Sequence, residues 1–235
     1  MKKINIGLNG ASGKMGSSIR KLIQQDNMLI PFIAVSSKNC EEFAFSVLSF
    51  ENIELEILNQ VDVWIDFSSP VQLQNLLSLT TKVPVVSGTT GSSESEIQKI
   101  KKSSVGRPIF WASNMSLGIW ALRQAMKSLG LIANFDFDIE DIHHNEKKDN
   151  PSGTAKTLQS DLSEIVGKKI NRPVGKRLGG IFGIHKVTAA SQNEIIILEH
   201  TALNREVFAE GAVKAAKWIL NKKIGYYSMN DLGEK

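Results

Sequence analysis

A polar segment from residue 143 to residue 154 concentrates the side chains that could carry proton chemistry. It reads His-His-Asn-Glu-Lys-Lys-Asp-Asn-Pro-Ser-Gly-Thr, with two imidazoles and two ammonium groups. Histidine exchanges a proton near neutral pH, and lysine can hold or protonate an anionic substrate. The segment ends in Pro151-Ser152-Gly153-Thr154, a pattern typical of a helix start, where unpaired backbone N–H groups suit an anion. The sequence therefore predicts a site that binds an anion and moves a proton.

The two adjacent histidines also have a purely structural interpretation. His143 and His144 could be strand-end residues that hydrogen-bond to their neighbours. Lys147 and the helix start that follow them favour the chemical interpretation. Metal binding by the pair is not expected, because adjacent residues of a strand point to opposite faces. We interpret the later histidines, His185 and His200, as structural.

A glycine-rich loop near the amino terminus indicates a second site, for a dinucleotide. It joins a predicted strand to a predicted helix, and its glycines have the spacing GxxGxxG. Such a loop lets the backbone approach a pyrophosphate at a helix N-terminus, although a purely structural tight turn would show the same spacing. The predicted cofactor-binding residues lie in this loop and at three later strand ends: Gly10, Ala11, Ser12, Gly13, Lys14, Met15, Ser36, Ser37, Lys38, Gly88, Thr89, Thr90, Ala112, Ser113, Asn114 and Met115.

The end of the second predicted strand bears on which nicotinamide cofactor is used. An acid at this place binds the adenosine ribose of NAD. Here the strand ends in Val35-Ser36-Ser37-Lys38, and the next acid is Glu41. Hydroxyl groups and an ammonium suit a 2′-phosphate better than a bare diol. We expect NADPH to be preferred, without excluding NADH; the alternative is that Lys38 is an exposed loop lysine with no ligand.

The order of predicted elements shows how the two sites are carried. Up to residue 114, short apolar strands alternate with amphipathic helices, and each strand ends in small polar residues. This predicts an α/β fold with a Rossmann-type, doubly wound parallel sheet. The later elements are predicted as a helix over 117–132, a strand ending at 143, a helix through 158 and 162, a flexible loop over 172–183, hairpin strands over 184–189 and 194–201, and a helix over 205–220.

Two domains follow from this change of pattern. We predict a dinucleotide-binding domain over residues 1–115, completed by residues 205–235 as the final helix returns to it. Residues 116–204 are predicted to form an α+β domain for substrate binding and oligomerisation.

The composition excludes several classes of protein. Of 235 residues, 42% are hydrophobic and 22% charged, and the formal net charge is +4, which mildly favours anionic ligands. No Lys/Arg block is long enough to indicate nucleic acid, and no apolar run reaches the ~20 residues that span a bilayer. The single cysteine, Cys40, excludes an internal disulfide framework and fits a reducing compartment. We expect a cytoplasmic protein with neither a nucleic-acid nor a membrane partner.

Motifs along nearly the whole chain occur in an order that resembles one family. The most specific block is His143-His144, Lys147, Asp149 and Pro151-Ser152-Gly153-Thr154-Ala155. Other matching segments are residues 10–16, 66–70, 88–91, 114–118, 140–142, 183–185, 199–202, 205 and 208–212. Together they resemble the bacterial dihydrodipicolinate reductases, also called 4-hydroxy-tetrahydrodipicolinate reductases, of the diaminopimelate route to lysine.

The resemblance implies an activity and a role for each residue of the polar segment. Enzymes of this family pass hydride from a reduced nicotinamide to a cyclic imine-type dicarboxylate, which gives tetrahydrodipicolinate. Carried over to this chain, His143 is the acid/base and Lys147 the proton donor. His144 contacts the substrate, while Gly153 and Thr154 bind one of its carboxylates. A homotetramer is also implied.

Departures from the family pattern affect the cofactor prediction and leave the polar segment intact. Ser12 replaces a common glycine, Met115 stands where many relatives have phenylalanine, and the acid after the second strand is missing. Two other functions remain as alternatives: another nicotinamide-dependent dehydrogenase of the aspartate pathway, and a non-catalytic sensor that binds NADPH.

Overall fold

The computed structural model describes residues 2–79 and 82–233. The chain divides into two units, one comprising Met1–Met115 with Phe208–Lys235 and the other Ser116–Val207. The first unit contains the alternating strands and helices, and the second contains the polar segment of residues 143–154.

The first unit contains a sheet of seven strands that are parallel throughout. Its central strands are buried along most or all of their length, as expected when helices cover both faces of a parallel sheet. The strands are β1 (Ile4–Asn9), β2 (Leu29–Val35), β3 (Phe45–Val47), β4 (Val63–Asp66), β5 (Val85–Ser87), β6 (Pro108–Trp111) and β11 (Gly225–Tyr227). Their spatial order is β11-β6-β5-β4-β1-β2-β3.

Serine caps define where two helices of this unit begin. Ser69 accepts a hydrogen bond from the Gln72 N–H with Pro70 in the first turn, and Ser93 forms a capping box with Glu96. The helices are α1 (Lys14–Gln25), α2 (Leu55–Leu58), α3 (Pro70–Ser78), α4 (Glu94–Ser103), most of α7 (Glu206–Ile219) and α8 (Met229–Leu232). Among the described residues, no helix has the length and apolar character needed to cross a bilayer.

The second unit packs two helices against one face of a mixed sheet. Its helices are α5 (Leu117–Met126) and α6 (Gly153–Val166), and its strands are β7 (Asp136–His143), β8 (Val174–Arg177), β9 (Gly183–Ala190) and β10 (Ile195–Ala202). The strand order is β10-β9-β7-β8, with β8 parallel to β7 and the other pairs antiparallel. Ile139 and Val187 of the sheet share a core with Leu158 and Leu162 of α6.

The predicted fold class is confirmed, but two predicted elements were wrong. The helix expected over 117–132 ends at Met126 and continues as a 3₁₀ helix, Lys127–Ile132, which contains the helix-disfavouring Gly130. The flexible loop expected over 172–183 contains β8, whose four residues are ordered by pairing with β7. Local sequence carries little information about such a short strand, because its stability comes from a partner distant in the chain.

Candidate functional site

The carboxyl ends of three neighbouring strands in the first unit meet at one buried aspartate. Asn9, Asp66 and Ser87 are the last residues of β1, β4 and β5. The fully buried Asp66 carboxylate accepts hydrogen bonds from Asn9 Nδ2 (2.8 Å), Ser68 Oγ (2.5 Å), Ser87 Oγ (2.7 Å) and Thr89 Oγ1 (2.7 Å). Burial raises the pKa of Asp66, and these uncharged donors only partly offset it. The network fixes the edge of the sheet where dinucleotides bind in folds of this type.

The glycine loop at the same edge has the geometry that a pyrophosphate requires. Gly10 has a φ of +84°, and a Cβ there would lie 2.4 Å from the Phe67 carbonyl oxygen. Gly13 is the N-cap residue of α1, and no side chain of the described residues caps this helix start. The N–H groups of the first turn of α1 are therefore open to an anion. The loop fits a dinucleotide cofactor.

The side chains of the predicted cofactor residues differ in what they can still bind. The hydroxyl of Thr89 is engaged by Asp66 and by the Ser68 N–H, and the hydroxyl of Ser36 donates to the Lys38 carbonyl. These two residues can offer a ligand little beyond their backbone. Ala11, Ala112 and Met115 are also buried, whereas Gly13, Lys14, Ser37, Lys38, Thr90 and Ser113 are exposed and Ser12, Met15, Gly88 and Asn114 are half-buried.

In the second unit, β7 places His143 at its last position with its ring turned inward. The His143 side chain is 9% exposed, and its Nδ1 lies 3.0 Å from Oδ1 of the fully buried Asp141. Two residues apart on a strand, Asp141 and His143 share one face of the sheet. Their contact is short but lacks hydrogen-bond geometry, so we describe it as electrostatic. His144, the next residue, is half-buried outside the strand.

Asp141 is held by several further donors. Ser152, the N-cap residue of α6, donates to it through its backbone N–H (2.8 Å) and its hydroxyl (2.7 Å), and both terminal nitrogens of Arg177 lie 3.4 Å away. Burial alone would raise the pKa of Asp141, but the contacts with His143 and Ser152 outweigh it and hold this pKa well below its usual range. Burial lowers the pKa of the neighbouring His185 to about 4, so its ring is neutral at neutral pH.

Three ligand-type side chains of this cluster lie close enough together to be considered for a metal. Ligand atoms of Asp141, His143 and His185 lie within 4.8 Å of one another. The Asp141 oxygens already accept from Ser152 and face the Arg177 guanidinium, which would repel a cation. We therefore interpret Asp141 as a partner of Ser152 and Arg177 and not as a metal ligand.

The loop between β7 and α6 brings the other predicted residues to the start of the helix. Lys147 Nζ lies 2.9 Å from Asp149 Oδ1, and the Gly153 N–H donates to Asp149 Oδ2 over 3.3 Å. One carboxylate thus spans the Lys147 ammonium and the first turn of α6, where Gly153 is exposed and Thr154 half-buried. Burial would raise the pKa of Asp149, but Lys147 and the Gly153 N–H lower it overall. These groups have the spacing of a carboxylate-binding site.

Asp141, Ser152 and Arg177 were missed as contributors to the site. Asp141 could have been found, because it and His143 have the two-residue spacing of one strand face. Arg177 could not, since it lies in the segment that was predicted to be a loop.

Comparison with known proteins finds one family that matches both halves of the chain. The family described as "Dihydrodipicolinate reductase, N-terminus" matches residues 4–115, and "Dihydrodipicolinate reductase, C-terminus" matches residues 115–232. The 4-hydroxy-tetrahydrodipicolinate reductase of Bdellovibrio bacteriovorus is 45% identical over 234 residues, covering 99% of this chain and 97% of that protein.

Two solved structures share the fold at low sequence identity. The dipicolinate-bound dihydrodipicolinate reductase from Paenisporosarcina sp. TG-14 has a TM-score of 0.81 at 20% identity, covering 97% of this chain and 99% of that chain. The aspartate dehydrogenase from Thermotoga maritima has a TM-score of 0.54 at 14% identity, covering 94% and 98%.

The alternatives left open by the sequence are decided by the family match. The likeness to aspartate dehydrogenase concerns the fold alone, whereas both halves of the chain match the reductase family. A non-catalytic sensor is likewise not supported, because the relatives are named as reductases. The chain belongs to the dihydrodipicolinate reductases, the NAD(P)H-dependent oxidoreductases of the diaminopimelate route to lysine.

Proposed function

We propose that the second unit binds 4-hydroxy-tetrahydrodipicolinate at the loop between β7 and α6, and that the first unit binds the nicotinamide cofactor. The observation that carries the substrate placement is the Asp149 carboxylate, which spans Lys147 Nζ and the Gly153 N–H. A substrate carboxylate that displaced it would gain the same two donors. The hydroxyl of Thr154 and the ring of His144 complete the contacts to the dicarboxylate.

Lys147 is the proton donor in this proposal. Its side chain is 26% exposed, so it can reach a ligand that the buried His143 ring reaches less easily. When bound, a reduced nicotinamide supplies the hydride. The substrate first loses its 4-hydroxyl group as water, which leaves a conjugated cyclic imine as the hydride acceptor. Lys147, whose charge holds the dianion, then donates a proton to the position that becomes negative when hydride adds. His143 acts as the acid/base partner or orients the substrate electrostatically, with Asp141 at its Nδ1.

The experiment is a turnover assay that follows the absorbance of the reduced nicotinamide with freshly made substrate. We expect Lys147→Ala to lower kcat by about 10²–10⁴, the range of general acid catalysis. The neighbouring Lys148→Ala is the matched control, since Lys148 is exposed on the same loop, and should leave kcat unchanged. Normal turnover of Lys147→Ala would contradict the assignment.

Two further variants test the carboxylate site itself. Thr154→Val should mainly raise the KM for the dicarboxylate, because it removes a hydroxyl donor. Asp149→Asn should lower that KM, since the competing carboxylate is gone from Lys147 and Gly153. A lower affinity of Asp149→Asn for the dicarboxylate would show that Asp149 supports the substrate site, contrary to the proposal.

For the cofactor we propose a preference for NADPH over NADH. Ser37 and Lys38 are exposed after β2, and Ser37 Oγ lies 3.2 Å from Ser12 Oγ of the glycine loop. These groups suit a 2′-phosphate near the loop. Lys38→Asp should lower the ratio of kcat/KM for NADPH over NADH, whereas Lys3→Asp, the same charge change before the amino end of β1, should not. A wild-type ratio below one would reject the preference.

We also propose a homotetramer in the cytoplasm, assembled through the second unit and without nucleic-acid or membrane partners. The support is the edge strand β10, where Ile195 is 66% and Ile197 is 54% exposed. Apolar side chains at an open sheet edge favour association. Light scattering should give the mass of four chains, and Ile197→Asp should reduce it; a monomeric wild type would contradict the proposal.

A further inference from the structure

We propose that Asp141 and Arg177 form a positioning pair that sets the shape of the loop from His143 to Ser152, and through it the affinity of the enzyme for its dicarboxylate substrate. The inference rests on the roles proposed above for Lys147 and Gly153. Neither Asp141 nor Arg177 needs to touch the substrate. Their function is to hold the two ends and the middle of the loop at fixed separations.

Asp141 joins the two ends of the loop. Its Oδ1 lies 3.0 Å from His143 Nδ1, where the loop begins. The same carboxylate accepts from the N–H and the hydroxyl of Ser152, where the loop ends and α6 starts. Ser152 in turn caps α6 by accepting from the Ala155 N–H over 3.2 Å. One buried carboxylate therefore fixes the first turn of α6 relative to the end of β7.

Arg177 holds the middle of the same loop. Its Nε donates to the Lys147 carbonyl over 3.2 Å, and its Nη2 donates to the Asp149 carbonyl. Both terminal nitrogens face Asp141 Oδ2 at 3.4 Å. A guanidinium presents several donors in one plane, so one side chain can serve both carbonyls and the carboxylate. The Arg177 side chain is 15% exposed, which strengthens these contacts relative to surface ion pairs.

Strand β8 positions Arg177, which is its last residue. It pairs with β7 so that Arg177 lies opposite His143, and the Leu178 N–H donates to the His143 carbonyl over 2.8 Å. Two residues before Arg177 in β8, a Cβ on Gly175 would lie 1.7 Å from Asn150 Oδ1. Glycine at residue 175 leaves room for the Asn150 side chain against β8, where Asn150 Nδ2 donates to the Gly175 carbonyl over 3.3 Å. The short strand that the sequence did not reveal thus anchors the predicted substrate loop.

The test compares the KM for the dicarboxylate, kcat and the dissociation constant of NADPH in wild type, Asp141→Asn, Arg177→Met and the double variant. Each single variant should raise the KM about tenfold or more and lower kcat, because a displaced loop loses productive geometry. NADPH affinity should stay within about twofold, since the first unit is unaltered. The double variant should be no worse than the poorer single variant, because either change releases the same loop.

The matched control is Lys176→Met on the neighbouring position of β8. Lys176 is exposed and contacts Glu140, which remains paired with Lys186 at 2.7 Å after the change. Its KM and kcat should stay within about twofold of wild type. A general loss of folded protein would lower the apparent kcat at unchanged KM, so the rise in KM identifies the positioning role.

Folded Asp141→Asn and Arg177→Met variants with a wild-type KM would overturn the proposal, as would additive effects in the double variant. If Arg177→Met does not fold, Arg177→Lys keeps the cation but cannot serve both loop carbonyls and Asp141 together. It should then raise the KM, and a wild-type KM would overturn the proposal. Failure of the proposed catalytic roles is separable, because it would show as normal turnover of Lys147→Ala.

Discussion

Asp66 and Asp141 are both fully buried aspartates near strand ends, yet their pKa values are shifted in opposite directions. In the first unit, Asp66 is surrounded by one amide and three hydroxyl groups, and its pKa is raised. In the second unit, Asp141 faces the Arg177 guanidinium and two imidazoles as well as Ser152, and its pKa is lowered. Neither side chain is exposed, so the partners make the difference: the contacts with His143 and Ser152 outweigh burial at Asp141, whereas the four neutral side-chain donors do not outweigh it at Asp66.

The different partners of the two aspartates correspond to the different roles proposed for the two units. Neutral donors around Asp66 tie three strand ends together without placing a cation beside this carboxyl group. Around Asp141, a buried negative charge balances the Arg177 guanidinium beside a loop that is proposed to bind a dianionic substrate. A buried carboxylate with cationic partners is costly to disturb, because removing it leaves a buried positive charge uncompensated.

The largest effect on stability is expected for Asp141→Asn. Breaking one side of a buried ion pair typically costs about 3–5 kcal/mol of unfolding free energy. Urea unfolding of the variant, followed by circular dichroism, should show the transition of the second unit at a lower denaturant concentration. Glu140→Gln is the matched control, since Glu140 is the neighbouring strand residue with exposed partners. Equal losses of unfolding free energy in Asp141→Asn and Glu140→Gln would contradict the larger role given to the buried carboxylate.

A smaller loss is expected for Asp66→Asn. The amide keeps the shape and one acceptor, and the hydroxyl groups of Ser87 and Thr89 can rotate to accept from it. The cost should be about 1 kcal/mol, the net value of one hydrogen bond between neutral groups. The same urea titration measures it. A loss as large as that of Asp141→Asn would show that Asp66 carries a charge the fold depends on.

Local sequence predicted the features that depend on neighbouring residues. The strand ends of the first unit and the helix start at Ser152 follow from spacing within a few residues. The two features that the sequence did not predict, strand β8 and the contact of Arg177 with Asp141, depend on distant partners instead. Strand β8 is ordered by β7, and Arg177 reaches Asp141 across 36 residues of chain. Such pairings have no local signal, so the sequence indicated a loop.

The smallest effect, and the most discriminating, concerns pH. Both groups have an unfolded pKa near 3.8. Asp66 has a raised folded pKa, so its contribution to stability is complete below 3.8 and is lost as pH rises through the folded pKa. Asp141 has a lowered folded pKa, so its contribution is complete above 3.8 and is lost only as pH falls further. From about pH 4 up to the folded pKa of Asp66, the stability difference between wild type and Asp66→Asn should therefore decrease with rising pH.

From about pH 5 to pH 7, the titration of Asp141 itself adds no pH dependence to the difference between wild type and Asp141→Asn, because this carboxyl group is ionised in both the folded and the unfolded state. The titration of groups remote from both aspartates cancels when each variant is compared with wild type at the same pH. Urea midpoints at several pH values give both differences. Parallel pH dependences for the two variants would mean that neutral and cationic partners do not distinguish these two aspartates.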